Sequence, residues 1–304
     1  MDDELTALLA TGERAAFHGR PAAGVGPLQR AVEVAHSTGR DAEATAAAWL
    51  LGVCLASSGR YGAAMTVLEP LSAHTPTDPG RRLFSSLASA TVASVQRQLG
   101  RHAIAREFDS RALSLAEGAP EALFDAHLGL AADAVGLDDL ASAQTELAAA
   151  AGLVQGRADW WRQRVRLDWV AAEVALLRED PVTAAHAAGR AVTLAETSGA
   201  PRHVAKGLLF QGVALAQSGD EAGAAATLRR AGTLAESLGA LPLVWPSRAV
   251  LGALVAEEHP AEAQVALTSA RDTVRALAAD LPPEVAATWL ARPDLAALLA
   301  DDAG

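Results

Sequence analysis

The chain has 304 residues, of which 51% are apolar, 20% are charged and only 4% are aromatic, and its formal net charge is −11. This composition is typical of a folded globular protein and excludes an intrinsically disordered chain. The acidic balance excludes general nucleic-acid binding, which needs many cations against phosphates, and the single cysteine, Cys54, excludes an internal disulfide.

The first segment of the chain predicts a helix over residues 2–17 that pairs with a second helix over residues 24–35. Its acidic start, Met1-Asp2-Asp3-Glu4, lacks the positive charge of a secretory signal, so we expect a cytoplasmic protein. We expect no membrane segment either, because the most apolar later stretch, residues 241–256, is interrupted by Pro242 and Pro246 and is too short to cross a bilayer.

A pattern of a small residue, a large residue four positions later and a small residue after that recurs along the whole chain. Its first positions are separated by 40, 41, 38, 41, 40 and 39 residues. Chance in an alanine-rich background does not hold so narrow a spacing, so we infer a repeat. The seven first positions are Gly24, Ala64, Ala105, Ala143, Ala184, Ala224 and Ala263.

Glycines mark two phases of the same period, as expected if each unit contains two helices with a stop after each. We therefore predict about seven antiparallel helix pairs over residues 1–281. Residues 282–304 are predicted to cap the last pair: Pro282-Pro283 starts a helix over 284–290, and Arg292-Pro293 separates it from a helix over 294–300.

The first complete unit resembles the tetratricopeptide repeat. The residues in register with that family are Leu51-Gly52, Leu55, Gly59, Tyr61, Ala64, Leu68 and Pro76, with Trp49 one place away from the usual tryptophan. The resemblance covers roughly residues 20–275 and implies an all-α, right-handed α-solenoid. The period near 40 exceeds the family standard of 34, and it resembles the helical arrays of bacterial signal-transduction ATPases and large transcription regulators.

One helix of this array carries a stripe of charged and aromatic residues. Arg162, Arg166, Trp169 and Glu173 follow one another at intervals of four, three and four, which places them on one helix face. The resemblance implies that this face lines the inner groove of the superhelix and binds a partner. Arginine beside tryptophan suits recognition of a carboxylate.

Other units place residues on the same face by the same alignment: Trp49, Arg97, Lys206, Phe210 and Gln217. Further cations and aromatics, Arg157, Arg164 and Trp160-Trp161, extend the stripe. The opposing interpretation is that these tryptophans belong to the core and that the arginines are solvated or paired with acids.

The sequence contains no motif that indicates catalysis. The eight histidines are scattered and form no metal-ligand pattern, and Cys54 lies within a predicted repeat helix, where a buried thiol is ordinary. We expect no enzymatic activity, no cofactor and no metal.

Two functional hypotheses follow. The first is a scaffold or adaptor that binds a protein segment or peptide, an acidic one held by arginines, in the concave groove, without direct contact to nucleic acid. The second is a regulatory protein that senses a small molecule or peptide and acts on transcription or a biosynthetic pathway through a partner; this hypothesis predicts a closed pocket. Homodimerisation through an outer helix face or the caps stays open.

Overall fold

The structure, a computed structural model, describes residues 2–300, and this part of the chain contains sixteen α-helices, a short 3-10 turn at Pro21–Gly24 and no strand. The helices are α1 (Asp2–His18), α2 (Val25–Ser37), α3 (Asp41–Ser58), α4 (Tyr61–Ala73), α5 (Pro79–Gln98), α6 (His102–Leu115), α7 (Pro120–Gly136), α8 (Leu140–Leu153), α9 (Trp161–Leu177), α10 (Pro181–Thr197), α11 (Pro201–Gln217), α12 (Glu221–Leu238), α13 (Leu241–Leu254), α14 (Pro260–Ala279), α15 (Pro283–Leu290) and α16 (Pro293–Ala300).

The helices form a stack of seven pairs, from α1–α2 to α13–α14, and each pair also packs against the next. This arrangement confirms the predicted all-α solenoid. The last two helices occupy the segment predicted to form the cap, of which residues 301–304 lie outside the described part. None of the described helices has the length and apolar character required to cross a membrane.

Small residues allow the two helices of a pair to approach closely, as the repeat pattern predicts. Gly52 in α3 lies directly under the side chain of Leu68 in α4, and Gly212 in α11 lies under Leu228 in α12 in the same way. A Cβ atom at either glycine would overlap the leucine side chain. In these two pairs the large position of the repeat therefore packs on a glycine of the preceding helix.

The array curves until its C-terminal end meets its second and third pairs. Side chains of α14–α16 form one buried apolar cluster with side chains of α4 and α5. We call this contact the seam. Its fully buried members include Tyr61, Val95, Leu277, Trp289 and Leu295.

A polar contact completes the seam. The Asp280 carboxylate oxygen Oδ2 accepts hydrogen bonds from the backbone N–H groups of Gly62, at 2.8 Å, and Ala63, at 3.2 Å. These groups belong to the first turn of α4, where no residue of the same helix accepts from them and where Arg60 provides no side-chain cap. Gly62 also lets the two segments of the chain approach closely, because a Cβ there would overlap the carbonyl oxygen of Asp280.

The opposite side of the array closes through α1. The ring of His18 lies 5.2 Å from that of Trp161 in α9, and the guanidinium of Arg162 lies 4.9 Å from the ring centre of Phe17. These contacts close the second side of the solenoid.

The Asp280→Ala variant tests the seam. Loss of the carboxylate leaves two backbone donors of α4 without their acceptor and removes the ion pair with Arg60, so we expect the free energy of unfolding to fall by about 1–2 kcal/mol. Urea unfolding followed by circular dichroism measures this change.

The matched control is Asp272→Ala on α14, because the Asp272 side chain is 68% exposed and pairs within its own helix. We expect this control to change stability by at most about 0.5 kcal/mol. Equal effects of the two substitutions would contradict the role of Asp280 as a distant helix cap.

Candidate functional site

The closed solenoid encloses a cavity of about 440 Å³ on its concave side. Its walls come mainly from the first helix of each pair, namely α1, α3, α5, α7, α9, α11 and α13. Solvent reaches the interior, because Ser94 on the wall is exposed. The volume lies within the range of ligand pockets, about 300–1,000 Å³.

Most of the groove residues predicted from the sequence line this one cavity. They are Trp49, Arg97, Arg162, Arg166, Trp169, Glu173, Lys206 and Phe210. Trp49 and Trp169 fit both the core interpretation and the groove interpretation. They are 8% and 5% exposed, so they are packed in the wall, and they still border the cavity.

Gln217 corrects the prediction. It shares a helix face with Lys206 and Phe210, but it is exposed and does not line the cavity. The reason is distance along the axis: at about 1.5 Å per residue, the eleven residues from Lys206 carry it roughly 16 Å further, to the last residue of α11.

The four residues that extend the predicted stripe lie outside the cavity: Arg157, Arg164, Trp160 and Trp161. Arg164 is exposed, and the Arg157 guanidinium lies 4.2 Å from the ring centre of Trp160, which is packed against Phe124. Within residues 157–166, only Arg162 and Arg166 line the cavity.

These two arginines share one carboxylate. Arg166 forms a short hydrogen-bonded ion pair with Asp125 of α7, and Arg162 approaches the same carboxylate at 3.8 Å. Burial lowers the pKa of Arg162. The nearby Asp125 raises this pKa, and the positive charge of Arg166 lowers it further. The three groups together carry one uncompensated positive charge.

Arg97 is held by two buried carboxylates. Its Nη1 atom donates to Asp133 Oδ1 at 2.8 Å, to Asp109 at a shorter distance and to the carbonyl oxygen of Gly129 at 3.3 Å. Burial raises the pKa of both aspartates, whereas Arg97 lowers it. Asp109, which departs from the repeat by occupying a large apolar position, therefore serves as an ion partner.

Lys206 lies among aromatic rings. Its Nζ is 4.7 Å from the ring centre of Trp169 and 5.4 Å from that of Phe210. Burial lowers the pKa of Lys206 to about 8, although the nearby Glu173 raises it. Burial likewise raises the pKa of Glu173.

His203 lies beneath these groups, stacked on Trp169 at 5.2 Å between ring centres. Burial lowers its pKa well below the usual value, and the surrounding cations add to the shift. The imidazole is therefore neutral near pH 7. It adds no positive charge to the wall.

Arg202, which the sequence analysis missed, also lines the cavity. It stands one helical turn before Lys206 and two before Phe210, so the same spacing argument would have found it. No carboxylate among residues 3–300 forms an ion pair with it, and its Nε is buried without a hydrogen-bond partner there. Burial lowers its pKa to about 10.

The cavity is positive in an acidic protein. Six Arg and Lys side chains line it against two carboxylates, those of Asp125 and Glu173, whereas the whole chain carries a net charge of −11. The six cations are Arg97, Arg162, Arg166, Arg202, Lys206 and Arg292.

The described residues contain no group of three or more His, Cys, Asp and Glu side chains placed to hold a metal ion. Burial raises the pKa of the Cys54 thiol to about 12, so it is protonated at neutral pH. The cavity wall therefore offers hydrogen-bond donors, positive charge and aromatic surface, which suit binding.

Comparisons with solved structures identify the fold. A Rap protein complexed with Competence and Sporulation Factor superposes with a TM-score of 0.65 at 11% identity, over 98% of this chain and 80% of that one. A Signal Transduction ATPase with Numerous Domains from Pyrococcus horikoshii, which carries a tetratricopeptide repeat sensor, superposes with a TM-score of 0.53 at 12% identity.

The alignment with the ATPase covers 93% of this chain but 42% of the ATPase, so this chain spans less than half of that protein. No family model and no curated protein matches the sequence. The structural likenesses show a tetratricopeptide-like helical repeat fold that resembles the sensor array of such ATPases.

The Arg97→Met variant tests the buried ion cluster. Without the guanidinium, Asp109 and Asp133 are buried without their cation, so we expect a loss of roughly 3–5 kcal/mol in unfolding free energy near neutral pH. The loss should shrink in acid, because the folded variant then binds protons on these carboxylates more readily than the unfolded chain does.

Denaturant unfolding at several pH values measures both effects. The control is Arg106→Met, whose arginine is exposed and lies 4.0 Å from Asp139. We expect it to cost at most about 1 kcal/mol. A loss for Arg97→Met no larger than this would contradict the buried cluster.

The Lys206→Met variant tests the lowered lysine pKa. Because the Lys206 pKa is about 8 in the folded chain against an ordinary 10.5, the unfolded chain binds more protons between these values, and raising the pH stabilises the wild type. We expect the wild type to gain about 1–2 kcal/mol over the variant from about pH 8 to about pH 10.

Urea unfolding of both proteins across this range gives the difference directly. Titration of Cys54 and Tyr61 affects both proteins equally and cancels. A stability difference that does not change with pH would show that Lys206 keeps its ordinary pKa.

Proposed function

We propose that this protein is a non-enzymatic binding module that holds a short peptide segment or a small molecule in the cavity of its closed helical array. The observation that carries the proposal is the concentration of charged and aromatic side chains on the concave side, in a cavity of about 440 Å³. Extended concave surfaces are where helical repeat proteins bind their partners.

The closure favours the sensing hypothesis over a scaffold that holds a long segment. A long extended chain needs an open groove, whereas here the C-terminal helices and α1 close the array. The bound group is then a short peptide or a small molecule. The proposal includes a protein partner that binds the ligand-occupied form, a homodimer and a cytoplasmic location. It does not include direct contact with nucleic acid.

Ligand binding would also act on the seam. Tyr61, Val95 and Trp245 belong to the apolar cluster of the seam and also line the cavity. A ligand that touches them binds the closed form better than an opened one, so occupancy shifts the balance towards closure. This coupling gives a binding module a way to regulate a partner.

The structural likenesses support this proposal at the level of the fold. One protein of this fold is found in complex with Competence and Sporulation Factor, and another carries a repeat array of this kind as a sensor.

The Ser94→Trp variant tests whether the cavity is the binding site. Ser94 is exposed on the cavity wall, so a tryptophan there fills the space without disturbing the packed core. Among a library of metabolites and short peptides, we expect compounds that raise the Tm of the wild type by about 4 °C or more at roughly 100 times their Kd. Differential scanning fluorimetry measures the shift.

The matched control is Ser110→Trp, at an exposed position on α6 that does not line the cavity. It should keep the ligand-induced shift, and Ser94→Trp should lose it. A library without any stabilising compound, or one whose effect survives in Ser94→Trp, would contradict the proposed function.

A further inference from the structure

Arg202 is a half-buried cation without a counterion among residues 3–300. Its side chain borders the cavity, its Nε is buried and has no hydrogen-bond partner in that range, and no carboxylate there forms an ion pair with it. Buried charges in proteins are ordinarily paired or solvated, because an isolated one is expensive to remove from water. This position therefore destabilises the unliganded protein.

The groups that face Arg202 do not supply the missing charge. The thiol of Cys54 and the phenol of Tyr61 are the nearby groups that favour its charged form, and burial keeps both protonated. The other cations work against it: Arg166 disfavours its charge directly, and Arg202 and Arg166 both disfavour the charge of Lys206.

Of the six cations that line the cavity, two have no carboxylate of their own among residues 3–300. Arg97 has two carboxylates, and Lys206 has Glu173 beside it. Asp125 is shared by Arg162 and Arg166, and Arg202 forms no ion pair with a carboxylate of residues 3–300. An anion that enters the cavity lowers the repulsion among these cations.

We propose that the cavity binds an anionic ligand whose carboxylate or phosphate group sits on Arg202 and faces Arg166. This inference rests on the proposed function and adds the chemical class of its ligand. The guanidinium can donate two parallel hydrogen bonds to either oxyanion. The rest of the ligand is apolar or aromatic, because Phe17, Trp49 and Phe210 form much of the remaining wall.

An anion site gives a reason for an arginine without a carboxylate in this wall. Groups that serve binding are often tolerated at a cost in stability. Replacing Arg202 by glutamine removes the half-buried charge, so the unliganded variant should be at least as stable as the wild type. The same replacement should weaken anion binding. A structural role predicts the opposite sign for the first of these effects.

The experiment compares wild type, Arg202→Gln, Arg202→Lys and Arg164→Gln with inorganic phosphate, with citrate, and with the tripeptide Gly-Phe-Glu bearing a free or an amidated C-terminus. Arg164 lies on α9 and is exposed outside the cavity, so it is the matched control. Tm by calorimetry reports stability, and isothermal titration at low salt gives Kd. Phosphate against the two peptides separates a phosphate from a carboxylate source.

We expect at least one of these probes to bind the wild type and Arg164→Gln alike, and to bind Arg202→Gln at least about 10-fold more weakly. Arg202→Lys, which keeps the charge but loses the planar fork, should fall between them. The unliganded Tm of Arg202→Gln should equal or exceed that of the wild type.

Three results would overturn the inference: binding by Arg202→Gln within about twofold of the wild type, a lower unliganded Tm for that variant, or no binding of any of the anions. General stabilisation by phosphate or citrate would appear equally in Arg202→Gln and counts as the first result. If uncharged compounds still stabilise the wild type and fail in Ser94→Trp, the proposed function stands without its anionic ligand.

Discussion

The carboxylate of Asp280 caps α4 by accepting from Gly62, which lies 218 residues earlier in the chain, and the cavity depends on that contact and on the apolar seam beside it. Each helix pair is stabilised locally by its neighbours, as in other repeat proteins. Local stacking alone yields an open, curved surface. The long-range contacts of the last helices with α4 and α5, together with those of α1 with α9, convert the surface into a cavity of ligand size.

Burial inside this cavity sets the behaviour of its charges. Arg97 shows the stable solution, in which two buried aspartates hold one guanidinium. Arg162 and Arg166 share one carboxylate, and Arg202 has none in the described part of the chain. The number of paired carboxylates therefore falls from two at Arg97 to none at Arg202 in the described part of the chain. Such a gradient is expected where part of a wall is structural and part is kept for a ligand.

The sequence predicts the repeated helix pairs but little of the contacts that close the array. The spacing of small and large residues follows from helix packing within each pair, so periodicity predicts the seven pairs. The resemblance to the tetratricopeptide repeat then implies that Arg162, Arg166 and Trp169 lie on the inner face. The seam joins residues far apart in the chain, and no local pattern encodes it. Arg202 could have been found from its spacing to Lys206, whereas Gln217 shares the helix face of Lys206 but lies beyond the cavity. The pairing of Arg97 with Asp109 and Asp133 required coordinates, because it joins three different helices.

Site-resolved amide hydrogen exchange of the unliganded protein tests the closure most directly, without changing a residue. The N–H groups of Gly62 and Ala63 lie in the first turn of α4, where amides ordinarily exchange fast, and they are bonded to Asp280. Ala103 and Ile104 occupy the same positions in α6, which has no side-chain cap. We expect the amide protons of Gly62 and Ala63 to exchange at least about tenfold more slowly than those of this reference pair. Equal rates at the two helix ends would show that the array is open in solution and would contradict the account.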